Sequence, residues 1–510
     1  MIRLSLPKRV PLPQAFAFAT IFFAVELFQH TDVIFALLYF AFFILSCITF
    51  NVAEGFTRLT GAYCFWFSTL IVIFGVCWKV VVGEAAQTNL QVPILDMSLY
   101  ALSMVMLLAV TVLNKKMDFR ALGIGAGFSG NNLDLTIAGL GCIITALTII
   151  FLGATFGQAQ GGFISALAQI NFFGPLGIIL ATAGALKDSG GRRSLNFVNT
   201  FALILFTLQG IVVFTKQGML TPAVCYIIGV FYMRMRVRPI HVVAFILFIA
   251  FVFGFAGPLS DARDLQIPGG SITAQAGVVW YQVTHWKEFR HHVELLDSRS
   301  GHDNGAPTYF DKPQGAMIER LTMMPPDDRF NAYTAKGNYE GMAPIIEWIG
   351  NLAPRFLYPN KTNDYTGNYF AHKAGGYISA DDTTTGISFS PVSSAYNCEG
   401  WGGILWLMPA IWIALFTSVD FVAGDLEKYP WGLLVVVWFG HAAPESLLSG
   451  MIYYIGYGNL GMLVAIVIST RLAPIVGSLF SGKTVVVQTR AIDRRRITPL
   501  ALPTVALPQE

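Results

Sequence analysis

Nine apolar segments follow one another from the N-terminus with little between them. A polar stretch of about 140 residues, from Pro258 to Gly400, then intervenes, and three more apolar segments follow. This layout constrains the fold more than any motif. About 20 apolar residues cross the hydrocarbon core of a bilayer as a helix, and the segments near 12–29, 31–50, 61–83, 97–113, 133–154, 163–186, 197–215, 218–233, 239–257, 402–422, 429–448 and 450–470 approach that length. Charged residues make up only 12% of the 510, against 54% hydrophobic, where soluble domains carry about 25% charged. The expectation is an all-α polytopic membrane protein of about twelve transmembrane helices with one large loop between helices 9 and 10. Residues 1–257 carry the first nine helices, 258–400 the loop, 401–472 the last three helices, and 473–510 a basic tail.

Lys and Arg cluster in alternate connections: Arg3/Lys8/Arg9, Lys115/Lys116/Arg120, Lys187/Arg192/Arg193, Arg234/Arg236/Arg238, and Arg490 with Arg494 to Arg496 in the tail. The connections near 84–96 and 154–162 have neither residue. The positive-inside rule then puts both termini in the cytoplasm and the loop outside. No small-residue cleavage pattern closes the first segment, so it reads as an uncleaved span. A net charge of +3 argues against a nucleic-acid partner. Five of six cysteines lie in or beside apolar segments and Cys398 has no loop partner, so no disulfide framework is expected.

Within the loop, residues 274–296 have apolar positions at helical spacing. Short helices are expected near 313–324 and 342–352, the latter stopped by Pro354; from there to Glu399 the Gly-, Thr-, Asn- and Asp-rich chain reads as irregular. The span interiors read as nearly charge-free. Gly125 to Gly130 spells GxGxxG, but between two spans it lacks the strand that a dinucleotide fingerprint needs and reads as a turn. His291 and His292 are adjacent, hence about 100° apart on a helix, and read as a solvated face. No metal or other cofactor is expected.

Arg320, Arg329 and Arg355 sit among apolar and aromatic neighbours where the loop meets the membrane. The guanidinium fork matches a phosphate bidentately; the plainer reading is salt bridges to loop acids. Glu399, just ahead of span ten, reads either as an ionisable functional group or as a charge favoured by the positive end of a helix. His372 has a suitable unperturbed pKa for a general base, or is ordinary surface. His441 and Glu445, one turn apart on span eleven, read as a hydrogen-bonded pair with a supporting or structural role.

Three features together resemble the O-antigen polymerase family, the Wzy-type oligosaccharide repeat-unit polymerases, and their relatives the O-antigen ligases. They are the twelve-span layout, the string Pro354-Arg355-Phe356-Leu357-Tyr358-Pro359-Asn360-Lys361, and the loop tail from Thr385-Gly386-Ile387-Ser388-Phe389 through Pro391 and Tyr396 to Glu399. The specific likeness covers about 80 residues; elsewhere it is hydropathy alone. The resemblance implies a GT-C-like, metal-independent glycosyltransferase of the bacterial inner membrane that joins undecaprenyl-pyrophosphate-linked repeat units into a surface polysaccharide. A flippase and a chain-length regulator would be its partners. Arg355 would stabilise the departing pyrophosphate, with Arg320, Arg329 and Lys361 assisting. Glu399, or else His372, would deprotonate the acceptor hydroxyl, and Tyr358 and Tyr396 would offer faces to sugar rings. The rivals are an O-antigen ligase acting on lipid A-core, a lipid-linked oligosaccharide flippase or other transporter, and a non-catalytic membrane scaffold.

Overall fold

The structure, a computed structural model, describes residues 3–125, 134–156, 167, 171–213, 216–251, 254–255, 258–259, 272–291, 308–312, 314, 316–319, 321–353, 358, 361–375, 378, 380–383 and 385–481. Helices account for all the regular structure among them. The long ones are α1 (Leu12–Phe28), α2 (Val33–Val52), α3 (Leu59–Val82), α4 (Pro93–Met117), α5 (Leu135–Phe156), α6 (Phe173–Asp188), α7 (Phe197–Val212), α8 (Lys216–Tyr232) and α9 (Pro239–Phe251). The polar stretch forms α10 (Ile272–Thr284), α11 (Met324–Ala335), α12 (Ala343–Gly350), α13 (Gly367–Ala374) and α14 (Pro391–Glu399). Then come α15 (Gly403–Ala423), α16 (Gly432–Glu445) and α17 (Leu447–Leu479).

Each of the twelve expected spans has a helix in its place, but the lengths differ. Six helices (α2, α3, α4, α5, α15 and α17) are long and apolar enough to cross a membrane. Four are shorter apolar helices, α1, α7, and most of α8 and α9; α6 and α16 have 16 and 14 residues. The last helix runs past the expected end at 470 to Leu479. Four π-helical turns interrupt the long helices, at Thr69–Ile73 in α3, Gly403–Leu407 in α15, and Tyr454–Gly458 and Ile468–Leu472 in α17.

Local chemistry sets several boundaries. Asp32 caps α2, its carboxylate accepting from the Ile34 and Phe35 N–H groups at 2.8 and 3.1 Å, which satisfies donors left orphaned by helix geometry. Outward-facing Phe16, Ile21, Phe28, Ile246 and Leu247 are exposed, as expected of side chains that meet lipid. Tyr63, Phe67, Trp412, Phe416 and Phe439 instead form one buried aromatic cluster among α3, α15 and α16.

The loop folds onto one end of this bundle. Tyr309 Oη donates to the Ala86 carbonyl at 2.7 Å, and Asn89 Nδ2 donates to Asp311 Oδ1 at 2.8 Å. Asp328 accepts from the Gln91 and Val92 N–H groups at 2.7 Å. The connection near 84–96 and the loop thus share a face, as the charge pattern requires. At the opposite end, Lys8 pairs with Glu427, Lys115 with Glu54 at 2.9 Å, and Arg3 bridges to Arg236, gathering three of the positive clusters there.

Four expectations change. The helix expected over 313–324 is confined among the described residues to Ala316–Glu319, while α11 begins at Met324. The segment expected to be irregular contains α13 and α14, capped by Thr366 and Ser390. The helix expected over 274–296 spans Ile272–Thr284 and resumes over 286–291, and residues 292–296 lie outside the described set. Finally, the spans are not charge-free: Glu26, Lys79, Asp96 and Asp420 are all buried. Each lies within one turn of a helix end, and a connection or the loop supplies partners to two of them. Lys79 pairs with Glu84 at 3.1 Å, and Asp96 Oδ1 accepts from Asn331 at 2.8 Å. The six cysteines are free thiols, and Cys398 is buried.

Candidate functional site

Phe330 on α11 stacks near Phe370 on α13 and Phe389, with ring centroids 4.9 and 5.0 Å away. This aromatic knot is the core of the loop. Around it, Asn368 Nδ2 donates to the Thr385 carbonyl at 2.8 Å and the Thr385 N–H donates to Asp382 Oδ1 at 2.9 Å. These bonds hold the chain that continues into Gly386-Ile387-Ser388-Phe389.

That strip forms one wall of a cleft of about 470 Å³. A second wall is the end of α12 with Trp348, Asn351 and Leu352, and a third is the junction of α16 and α17 with His441, Glu445, Ser449 and Tyr453. The junction is a broken helix. Pro444 removes a donor near the end of α16, and Leu447 adopts φ +50°, a left-handed conformation rare for a branched side chain. The Leu447 N–H donates to the Phe389 carbonyl at 3.1 Å and the Leu448 N–H to Ser394 Oγ at 3.4 Å. The loop thus supplies the acceptors that a continuous helix would have provided.

On the cleft wall, His441 Nδ1 lies 3.4 Å from Glu445 Oε2. The sequence paired these two residues; it carried no signal that they face a cavity, because the apolar run through 429–470 hides the break.

The residues singled out from sequence fall in several places. Arg320 and Arg355 lie outside the described residues, as do Phe356, Leu357, Pro359 and Asn360. The described residues flanking that string are held at the cleft rim, since Leu352 and Asn363 line it and Lys361 Nζ donates to the Asn351 and Ala353 carbonyls at 3.0 and 3.1 Å. Glu347 adds a second tie, accepting from Thr362 Oγ1 at 2.9 Å and the Tyr365 N–H at 3.2 Å. Tyr358 is half-exposed. Arg329 donates to the Gly375 carbonyl at 3.2 Å. His372 is exposed, and its Nε2 donates to the Asp382 carbonyl at 2.8 Å.

Glu399 is the exposed last residue of α14, two residues before the helix resumes at Trp401. It therefore stands at a negative helix end as well as ahead of a positive one. Tyr396 is buried at 5% exposure, and burial pushes its phenol up to about 12. Its ring neighbours Tyr339 and Trp401, with centroids 6.3 and 6.0 Å away, are the exposed members of that aromatic group. Neither Glu399 nor His372 lines the cleft. Among the described residues, no cluster of three or more His, Cys, Asp or Glu is arranged to hold a metal.

Comparison with protein families, with curated proteins and with solved structures finds no match to this chain.

Proposed function

We propose that this chain is a membrane glycosyltransferase that polymerises undecaprenyl-pyrophosphate-linked oligosaccharide repeat units. In this reading it is a twelve-span protein of the bacterial inner membrane, with the large loop on the outer face and both termini cytoplasmic. One observation carries the proposal: a folded loop is fastened to one end of an apolar bundle and leaves a cleft at their seam whose walls combine apolar side chains with amide, hydroxyl and ionisable groups. A substrate whose lipid tail stays in the bilayer and whose sugar stays in water needs its chemistry at that seam.

In the reaction, the acceptor hydroxyl attacks the anomeric carbon of the donor glycan and the lipid pyrophosphate departs. Cations must meet the charge that develops on the leaving group, and Arg355, with Arg320, Arg329 and Lys361, is assigned that work. Glu399 is the base assigned from sequence, and His372 the second choice. Tyr358 and Tyr396, with the exposed rings beside Tyr396, would meet sugar faces. A ligase that passes the glycan to lipid A-core would use the same donor and the same cleft.

The buried ionisable groups of the spans favour a second reading, a transporter of lipid-linked oligosaccharide, since such groups mark pathways through membranes. Their position within one turn of the helix ends weighs against it. The deciding experiment uses full-length protein in detergent with a synthetic undecaprenyl-pyrophosphate repeat unit. A ladder of glycan lengths, formed without added nucleotide and lost in Arg355→Lys or Glu399→Gln, supports the polymerase and both roles. Transfer to lipid A-core alone identifies a ligase, and movement of labelled glycan across vesicles without any ladder identifies a transporter.

A further inference from the structure

We propose that His441, positioned by Glu445, is the base that deprotonates the acceptor hydroxyl, and that the cleft at the α16–α17 break is the acceptor-sugar site. The inference rests on the glycosyltransferase reading above and moves the base from the loop to the end of a span.

Four observations converge on it. His441 and Glu445 lie four residues apart on α16, hence on one face, and both line the cleft. Their side chains are 43% and 29% exposed, open enough to reach a ligand. With Nδ1 3.4 Å from the Glu445 carboxylate, an N–H on Nδ1 would face that acceptor and leave the lone pair on Nε2, the tautomer a base requires. Amide and hydroxyl groups of Asn351, Asn363, Ser388 and Ser449 ring the same space, as a sugar's hydroxyls demand.

The corner that follows Glu445 is strained. Leu447 at φ +50° persists because the loop carbonyl of Phe389 and Ser394 Oγ hold the next N–H groups, and strain of this kind gathers at functional sites. His372, by contrast, already uses its Nε2 on the Asp382 carbonyl. Of the described residues lining the cleft, the other ionisable one is Tyr453.

The acceptor O–H proton passes to His441 Nε2 as its oxygen forms a bond to the donor's anomeric carbon. The bond from that carbon to the pyrophosphate oxygen breaks, and the lipid pyrophosphate leaves with the electron pair. His441 then releases the proton to water.

The test uses full-length protein in proteoliposomes with the synthetic lipid-linked repeat unit, measuring kcat and KM from pH 5.5 to 8.5. His441→Asn is expected to lower kcat about 100-fold or more, leave KM nearly unchanged and erase the acidic limb of the profile. Glu445→Gln is expected to lower kcat less than His441→Asn does and to leave KM nearly unchanged, because the imidazole loses the carboxylate that orients it. Gly386→Leu is expected to raise KM, since a Cβ there meets no atom within 4 Å and a longer side chain would extend into the cleft. A ladder made equally well by wild type and His441→Asn overturns the base while the glycosyltransferase stands. Loss of the limb in Glu399→Gln with its retention in His441→Asn does the same. No ladder from wild type with cognate substrate overturns both proposals. Should His441→Asn fail to fold, unchanged profiles in Glu445→Gln and Gly386→Leu overturn the assignment.

Discussion

Tyr100 Oη donates to Asp327 Oδ2 at 2.7 Å, joining a bundle helix, α4, to the first well-formed helix of the loop's inner layer, α11. Both groups are buried. The other carboxylate oxygen accepts from the Ser390 N–H at 2.8 Å, so one side chain fastens three elements: α4, α11 and the cap of α14. Ser390 also leads the chain from the cleft wall into α14, so this bond helps set where the wall stands.

Replacing Asp327 with Ala orphans two buried donors. Each unsatisfied donor costs about 1–3 kcal/mol, so a loss on the order of 3 kcal/mol is expected. The measurement is thermal unfolding of purified protein in detergent, together with limited proteolysis of the loop. Melting at the wild-type temperature would show that the seam is held elsewhere.

Asp327 also makes the seam pH-dependent. Burial raises its carboxyl from the ordinary 3.8 to about 6, against the hydrogen bonds from Ser390 and Tyr100 that pull it down. Its neighbour Asp328 is raised by burial too. A carboxyl whose folded pKa lies above its unfolded one binds more protons in the native state between the two values. Its contribution is therefore greatest below about 3.8, declines as pH rises to about 6, and is level above that. Other carboxylates respond in the opposite sense, so the readout is the difference between wild type and Asp327→Asn. That difference in melting temperature should shift in favour of wild type on going from pH 7 to pH 5.

Two glycines should respond in opposite ways to alanine. At Gly403, where α15 leaves the loop, an added Cβ would fall on the Ala395 carbonyl oxygen, a backbone atom that cannot swing aside. Gly403→Ala is expected to destabilise by more than about 2 kcal/mol, as overpacked sites do. At Gly386 the same Cβ meets nothing, so Gly386→Ala should stay within about 0.5 kcal/mol of wild type. Parallel thermal melts of the two variants give the comparison.

Lys361 is expected to hold the end of α12 through its bonds to the Asn351 and Ala353 carbonyls. Lys361→Met should speed hydrogen exchange at the end of α12, and Lys361→Arg should restore part of the protection. Loss of activity with unaltered exchange would instead assign Lys361 to the substrate alone.

Much of this architecture was legible in the sequence. The twelve apolar runs each correspond to a helix, and the shared face of the 84–96 connection and the loop follows from where Lys and Arg are missing. The loop helices were harder. Met324-Pro325-Pro326 looks like a breaker, yet proline is tolerated in the first turn of a helix, where its missing N–H has no partner to lose; α11 begins with that pair. Ser390-Pro391 begins α14 in the same way, with Ser390 Oγ accepting from the Ser393 N–H at 3.3 Å. The cleft was out of reach for a different reason. His441 and Glu445 are visible as neighbours on a helix, but their exposure depends on a kink at Leu447 that is sustained by a carbonyl 58 residues earlier, at Phe389.

The four π-helical turns bear on phase. Each fits one residue more into a turn than an α-helix does, so removing a single residue from Tyr454–Gly458 would leave a regular helix of nearly the same rise. The side chains beyond it would keep nearly the same phase, because the wide turn already absorbs the extra residue. In α17 two such turns act in succession on a helix that begins against α12, α14 and α15 and ends against α5. They work as splices: each wide turn takes up an extra residue, so that the cleft end and the far end of one continuous helix both keep their own neighbours.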